Sequence, residues 1–244
     1  MVEKVFDFLK KNYLILSDQI IVSLGNFLLS IILIRYLGLE KFGIFSFFWL
    51  FHLLINSCQL SFIISPMLTL GSKQNVSELK YYFGAVFIHQ IIFSLILFLI
   101  TIIFLKYFLG FFFDFQILNI FYSFPLFLFI SQIFQFFRRL SIFNNKMLIT
   151  QLADLTFFLI LFSGLYLSKN YFVLSLNIIF LIFFISNFVG IIIFSSQLKK
   201  LKFKSFYVIN IFHNNYKIGK WLLLTAITQW FSGNLWIINS GVIL

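Results

Sequence analysis

Five ionisable side chains, Asp18, His89, Arg138, Arg139 and Asp154, stand within or at the end of runs of otherwise apolar residues. Two carboxylates, an imidazole and a pair of guanidinium groups can form ion pairs, carry protons or hold an anion. A charge at the centre of a bilayer costs at least about 2.5–3.5 kcal/mol, so such groups need a partner or a function. Counting from the nearest polar boundary at ~1.5 Å per residue, Asp18, His89 and Asp154 each lie roughly 7–12 Å into a helix. Arg138 and Arg139 close another helix on the same side. Acidic and basic groups at one depth suit a structural ion-pair cluster or the mouth of a polar pathway. A lone histidine is more often a satisfied hydrogen-bonder than a proton carrier, and this applies to His52 as well as His89.

Uncharged polar residues follow helical spacing in the same runs. Gln19, Ser23, Asn26 and Ser30 form one stripe, and Trp49, His52, Asn56 and Gln59 a second. Gln132, Gln135 and Arg139 share a face, as do Thr225, Gln229, Ser232, Trp236 and Asn239. Hydrocarbon offers these groups no hydrogen-bond partner, so the stripes must face other helices or water. Any one stripe is explained as glue between helices, at about 1 kcal/mol or less per contact. Four helices sharing the property favour a common hydrated cavity.

The elements that carry these residues are long and apolar. The 244-residue chain is 61% hydrophobic and 10% charged, with mean hydropathy +1.04, which a water-soluble domain could not bury. The expectation is an all-α polytopic membrane protein with spans near 13–37, 42–70, 82–105, 111–137, 147–168, 171–196 and 221–244. The second should end or kink at Ser65–Pro66, and the fourth should enter the membrane near Ile117, after Asp114 and Gln116. The first has no small-residue cleavage site and reads as a retained span rather than a signal peptide. The 40 phenylalanines read as lipid-compatible filler. Three parts follow: a six-helix lobe over 1–196, a basic inter-lobe loop over 197–220, and a first helix of a second lobe over 221–244.

Charge sets the orientation. The N-terminal flank and the loops after the second, fourth and sixth spans hold fourteen of the 18 lysines and arginines. Arg35, Lys41, Lys106 and Lys169 are left for the other side, so the N-terminus is expected in the cytoplasm. The net charge of +11 is mostly this bias and implies no nucleic acid, while the 199–220 segment should meet anionic lipid without specificity.

Catalytic patterns are missing. "GSK" at 71–73 lacks the rest of a phosphate-binding loop, and no H-E-x-x-H, Cys/His cluster or G-x-S-x-G occurs. Cys58 is alone, so neither a disulfide nor a metal cluster is expected. The chain reads as a non-enzyme without cofactor or metal.

The stretch "SDQIIVSLGNFLLSIILIRYLGLEKFGIFSFFW", followed by "SFIISPM", resembles the opening of bacterial oligosaccharide flippases. These form the Wzx-type, polysaccharide-biosynthesis branch of the MATE-like exporter superfamily. The likeness rests on Asp18–Gln19, Asn26–Phe27, Arg35 with Leu37–Gly38, Phe42–Gly43 and Ser65–Pro66, and beyond them on pattern through "GKWLLLTAITQWFSG". It implies a multi-pass protein of the bacterial cytoplasmic membrane that moves a polyprenyl-pyrophosphate-linked oligosaccharide outward by alternating access during O-antigen or capsule synthesis. Its partners would be that substrate, membrane lipids, a polysaccharide polymerase and glycosyltransferases. Arg138 and Arg139 would suit the pyrophosphate, and Arg35 would bridge to the turn around Glu40. The alternatives are an exporter of drugs or other solutes from the same superfamily and a non-transporting scaffold.

The family has about twelve helices, and seven are expected here. The seventh repeats features of the first, since Asn234 follows Gly233 as Asn26 follows Gly25. Half a transporter is therefore expected, inactive alone, with the stripes of the first two helices facing an absent partner.

Overall fold

The computed structural model describes residues 2–109, 120–171 and 174–243, and the elements among them are helices. The long first helix, α1 (Val2–Gln59), runs through a five-residue π-helical turn, Leu60–Ile64, into α2 (Ser65–Gly71). Next come α3 (Val76–Phe104), which ends in a second π turn, Leu105–Leu109, and α4 (Ile120–Phe143). The remainder is α5 (Met147–Tyr171), α6 (Leu176–Ile193), the short α7 (Ser195–Leu198) and α8 (Ser205–Ile243). Five helices of the described residues are long and apolar enough to cross a membrane: Tyr13–Gly71, Val76–Tyr107, Tyr122–Phe143, Met147–Tyr171 and Leu176–Ile193. The protein is all-helical and membrane-embedded. The expected entry of the fourth span near Ile117, with Asp114 and Gln116, lies outside the described residues.

The first of these spans, 59 residues long, would measure roughly 88 Å if straight, about twice the thickness of a bilayer. It is broken at Gly38, whose φ of 76° and ψ of 169° are not helical. A Cβ carries a steric penalty at positive φ, so glycine fits this point and separates an arm at 2–37 from one at 39–59. The second arm widens into the π turn just before Pro66, which stands in the first turn of α2. Proline lacks the N–H that would bond four residues back and its ring presses on that carbonyl. The distortion expected at Ser65–Pro66 therefore takes a definite form.

Two compact units emerge, Met1–Phe45 with Phe93–Lys199, and Ser46–Ile92 with Lys200–Leu244. In the first, α6 packs against both α4 and α5. Phenylalanine builds its centre: Phe124 and Phe180 meet edge to face at 4.9 Å, and Phe127 lies 5.2 Å from Phe183. Phe45 stacks on Phe180 at 5.8 Å. Phe124, Phe127, Phe180 and Phe183 are buried, so filler describes only part of the phenylalanine content. Ring pairs of this geometry add about 0.5–1.5 kcal/mol each beyond the area they bury. Asn145, at φ 56°, turns the chain between α4 and α5, where Lys146 N–H bonds the Ser141 carbonyl at 2.9 Å.

In the second unit, α8 packs on the π turn and on α2. Ile211, Asn215 and Gly219, spaced four apart, are its buried face. The segment 205–220, expected as loop, is thus helix, and the non-helical connection narrows to 199–204. Asparagine and glycine do not register as apolar, which hides that face in a hydropathy pattern.

Close approach of α1 to α5 depends on Gly25, where a Cβ would overlap the Phe158 ring. Gly25→Leu should lower stability by about 1–3 kcal/mol through overpacking. Adding Phe158→Ala should restore much of the loss, read as the unfolding midpoint in detergent. Independent, additive losses would show that the two residues do not meet.

Candidate functional site

The first unit brings three of the sequence-derived residues together. Arg138 of α4 donates through Nη2 to Asp18 Oδ2 of α1 at 2.6 Å. Through Nε it donates to Asp154 Oδ2 and Oδ1 of α5 at 2.9 and 3.2 Å. All three side chains are mostly shielded, at 13% exposure for Arg138, 7% for Asp18 and 4% for Asp154. Short charge-assisted bonds in such a setting are the strong kind, and a planar guanidinium suits two acceptors at once. One arginine therefore ties three helices.

Two carboxylates share one guanidinium and are close enough to interact with each other. Asp18 Oδ1 is buried and has no hydrogen-bond partner among the described residues. Arg139, half-buried, lies within electrostatic reach of both carboxylates and supplies a second positive charge. Gln135, also half-buried, precedes the arginines by about one turn. Next to the triad, Gln151 of α5 donates to the Leu14 carbonyl at 2.8 Å and to Ser17 Oγ, so neutral bonds reinforce the charged ones.

Arg138 was expected where its helix ends, at 137, but α4 continues to Phe143. The arginines thus stand more than a turn inside the helix, where the two carboxylates meet Arg138. Sequence separations of 120 and 16 residues conceal this pairing. The shared depth of Asp18 and Asp154 was its signal.

His89 belongs elsewhere. Its Nε2 bonds the Val208 carbonyl at 2.9 Å, and its ring meets Phe212 edge to face. Both partners lie on α8 within the second unit, so His89 is bound to backbone there. No sequence pattern marks a backbone carbonyl as a partner.

The polar stripes divide by how they are satisfied. On the second arm of α1, Asn56 Nδ2 meets His52 Nε2 at 3.0 Å, and Gln59 donates to Gln90 of α3 at 2.9 Å. His52 and Gln59 are buried, so this stripe faces protein rather than an absent partner. Hydroxyls on α8 turn back on their own helix: Thr225 to Leu222, Thr228 to Leu224 and Ser232 to Gln229. The side chains of Trp236 and Asn239 lie outside the described residues.

On the first arm of α1, Ser30 likewise bonds the Asn26 carbonyl. Gln19 and Asn26, however, expose side-chain amides that bond to no described residue. Arg35 and Glu40 are exposed, and among the described residues no salt bridge joins them. At that end of the helix Lys169 of α5 sits 4.2 Å over the Tyr36 ring instead, a contact that sequence reasoning missed.

Among the described residues no group of three or more His, Cys, Asp or Glu side chains could hold a metal ion. The fold and the charged cluster define the class: an all-helical membrane protein with a buried Asp–Arg–Asp triad. No protein-family profile, curated protein or solved structure matches the chain.

Arg138→Gln should cost about 3–5 kcal/mol, because two buried carboxylates lose their counter-charge. Replacing Asp18, Arg138 and Asp154 together by leucine should cost far less, and Arg138→Lys an intermediate amount. Unfolding midpoints in detergent give the order; a triple variant as unstable as Arg138→Gln would contradict it.

Proposed function

We propose that the protein is a lobe of an oligosaccharide-lipid flippase in the bacterial cytoplasmic membrane. It moves a polyprenyl-pyrophosphate-linked glycan outward by alternating access, with six spans in the lobe and the N-terminus in the cytoplasm. The observation that carries this reading is the outward pair of amides, Gln19 and Asn26, on the helix that holds Asp18. Seven residues apart, they stand ~10 Å from each other along one face. Hydrocarbon would leave both unsatisfied, whereas hydroxylated sugars match amides as donors and acceptors. The Gly38 break supports six spans, since each arm of α1 is long enough to cross alone. Further helices, in a second copy or a second lobe, would form the opposite wall of the pathway. The sequence resemblance points the same way.

In this reading the triad holds the cytoplasmic end of α1 to α4 and α5, and Arg139 supplies positive charge for the pyrophosphate. His52, Asn56 and His89 act as internal fastenings. Arg35 marks the outer end of the first arm.

The test, made on the complete transporter that includes the opposite wall, is complementation of a flippase-deficient strain, followed by translocation of a fluorescent lipid-linked oligosaccharide in proteoliposomes. Gln19→Leu with Asn26→Leu should reduce translocation by at least tenfold, the loss of two hydrogen-bonding groups at ~1 kcal/mol each, without lowering the unfolding midpoint. Asp154→Asn should impair export more than Ser30→Ala. Undiminished transport by the double leucine variant would remove the reading.

Topology is tested separately. Ser205→Cys in a Cys58→Ser background should react with an impermeant maleimide only after the membrane is opened. Labelling from outside intact cells would reverse the orientation.

A further inference from the structure

A second feature lies at the start of α3 and α8 and is independent of what is transported. The chain between α7 and α8 does not hang free: Lys202 N–H bonds the Lys80 carbonyl at 3.2 Å. Gly84 lies directly beneath Lys202, so close that a Cβ would overlap the Lys202 carbonyl. The linker is therefore pressed onto the helix, with its backbone held at Lys202. Tyr81 of α3 and Tyr207 of α8 stack at 5.6 Å with 17° between their planes. Lys202 Nζ stands 5.8 Å from the Tyr81 ring, and Lys204 Nζ 6.0 Å from the Tyr207 ring. Two ammonium groups thus share one aromatic platform.

We propose that this platform binds the phosphodiester headgroup of an anionic phospholipid. Charge complementarity is the first reason. Across 78–82 and 200–207 the chain carries Lys80, Lys200, Lys202 and Lys204, all exposed, against Glu78 as the lone acid. Exposed ammonium groups held near one another repel, and an anion between them removes that repulsion. A ring face steadies each ammonium while leaving N–H groups free to donate to phosphate oxygens.

Position is the second reason. Tyr81 falls five residues after Val76, where the α3 span begins, which places it ~7.5 Å into the helix. That is the headgroup and upper acyl level, where tyrosine is enriched and lysine reaches outward. Phe203, 56% exposed, and Ile209, 76% exposed, flank the platform and offer apolar surface to acyl chains. A free phosphate would have no use for them. The sequence alone implies only a diffuse attraction of a basic segment to anionic lipid; the geometry assigns it a place and a headgroup.

Native mass spectrometry of the full chain, released from micelles holding equimolar phosphatidylglycerol and phosphatidylcholine, provides the test. Bound phosphatidylglycerol should exceed phosphatidylcholine. Lys202→Gln with Lys204→Gln should reduce phosphatidylglycerol adducts by about 25-fold, given roughly fivefold per lysine. Lys73→Gln with Lys217→Gln, matched in charge, should reduce them distinctly less, because that pair loses only diffuse attraction to the anionic surface and no headgroup contact. Tyr81→Leu with Tyr207→Leu keeps every charge and should still reduce the adducts severalfold. Equal losses from the two lysine pairs would show unspecific attraction and overturn the site. Displacement of the lipid by excess inorganic phosphate, with no preference between the two lipids, would overturn the assignment to a phospholipid.

Discussion

Hydrocarbon supplies no hydrogen-bond partner, and this one property of the surroundings governs where each polar group of the chain can stand. Backbone amides meet it through helix. Serine and threonine meet it by bonding the carbonyl three or four residues back, as Ser30, Thr225 and Thr228 do. Charged groups have no such local remedy, so Asp18 and Asp154 converge on Arg138 from two other helices. That convergence ties α1 to α4 and α5 at one point, and the close packing of Gly25 on Phe158 ties α1 to α5 at a second. Polar groups inside a membrane protein are thus sorted by range: hydroxyls settle within a turn, amides between neighbouring helices, and charges across the fold.

The two units show different consequences of this sorting. The first is held by charge and rings, with the triad at one end and the Lys169–Tyr36 contact at the other. The second is held by neutral bonds: Gln59 to Gln90, His89 to the Val208 carbonyl, and Tyr82 within 3.3 Å of both the Pro66 carbonyl and the Asn215 side-chain oxygen. Ion pairs have a long reach and a high penalty when broken, while single neutral bonds are each worth about 1 kcal/mol. The first unit therefore has fewer ways to rearrange in small steps than the second.

What the sequence discloses follows the same division. The presence of several membrane-length helices was legible because length and apolarity suffice, although five such helices are found among the described residues where seven were expected and none covers 221–244; the breaks at Gly38 and Pro66 carry their own residue types. The shared depth of Asp18 and Asp154 could be counted from the helix ends. The continuation of α4 through Arg138 to Phe143 could not, because long basic side chains usually signal a helix end and only their partners show otherwise. The partner of His89 could not be read for a related reason: the Val208 carbonyl has no identity in a sequence. The start of α8 was missed because its buried face includes Asn215 and Gly219, which mimic a loop. Patterns of composition report solvent, whereas pairing between distant helices is a property of the folded chain.

The span of 120 residues between Asp18 and Arg138 also has a meaning in time. Synthesis proceeds from the N-terminus at about 5–20 residues per second, so Asp18 is made roughly 6–24 s before its arginine exists. Asp154 follows Arg138 by a further 16 residues. During that interval the first helix must enter the membrane with its carboxylate unmatched. A position near the end of the apolar span, which begins at Tyr13, keeps the acid close to water while it waits, and a site at mid-span would not. The depth of the triad suits the order in which the ribosome delivers its members as well as the fold they finally share.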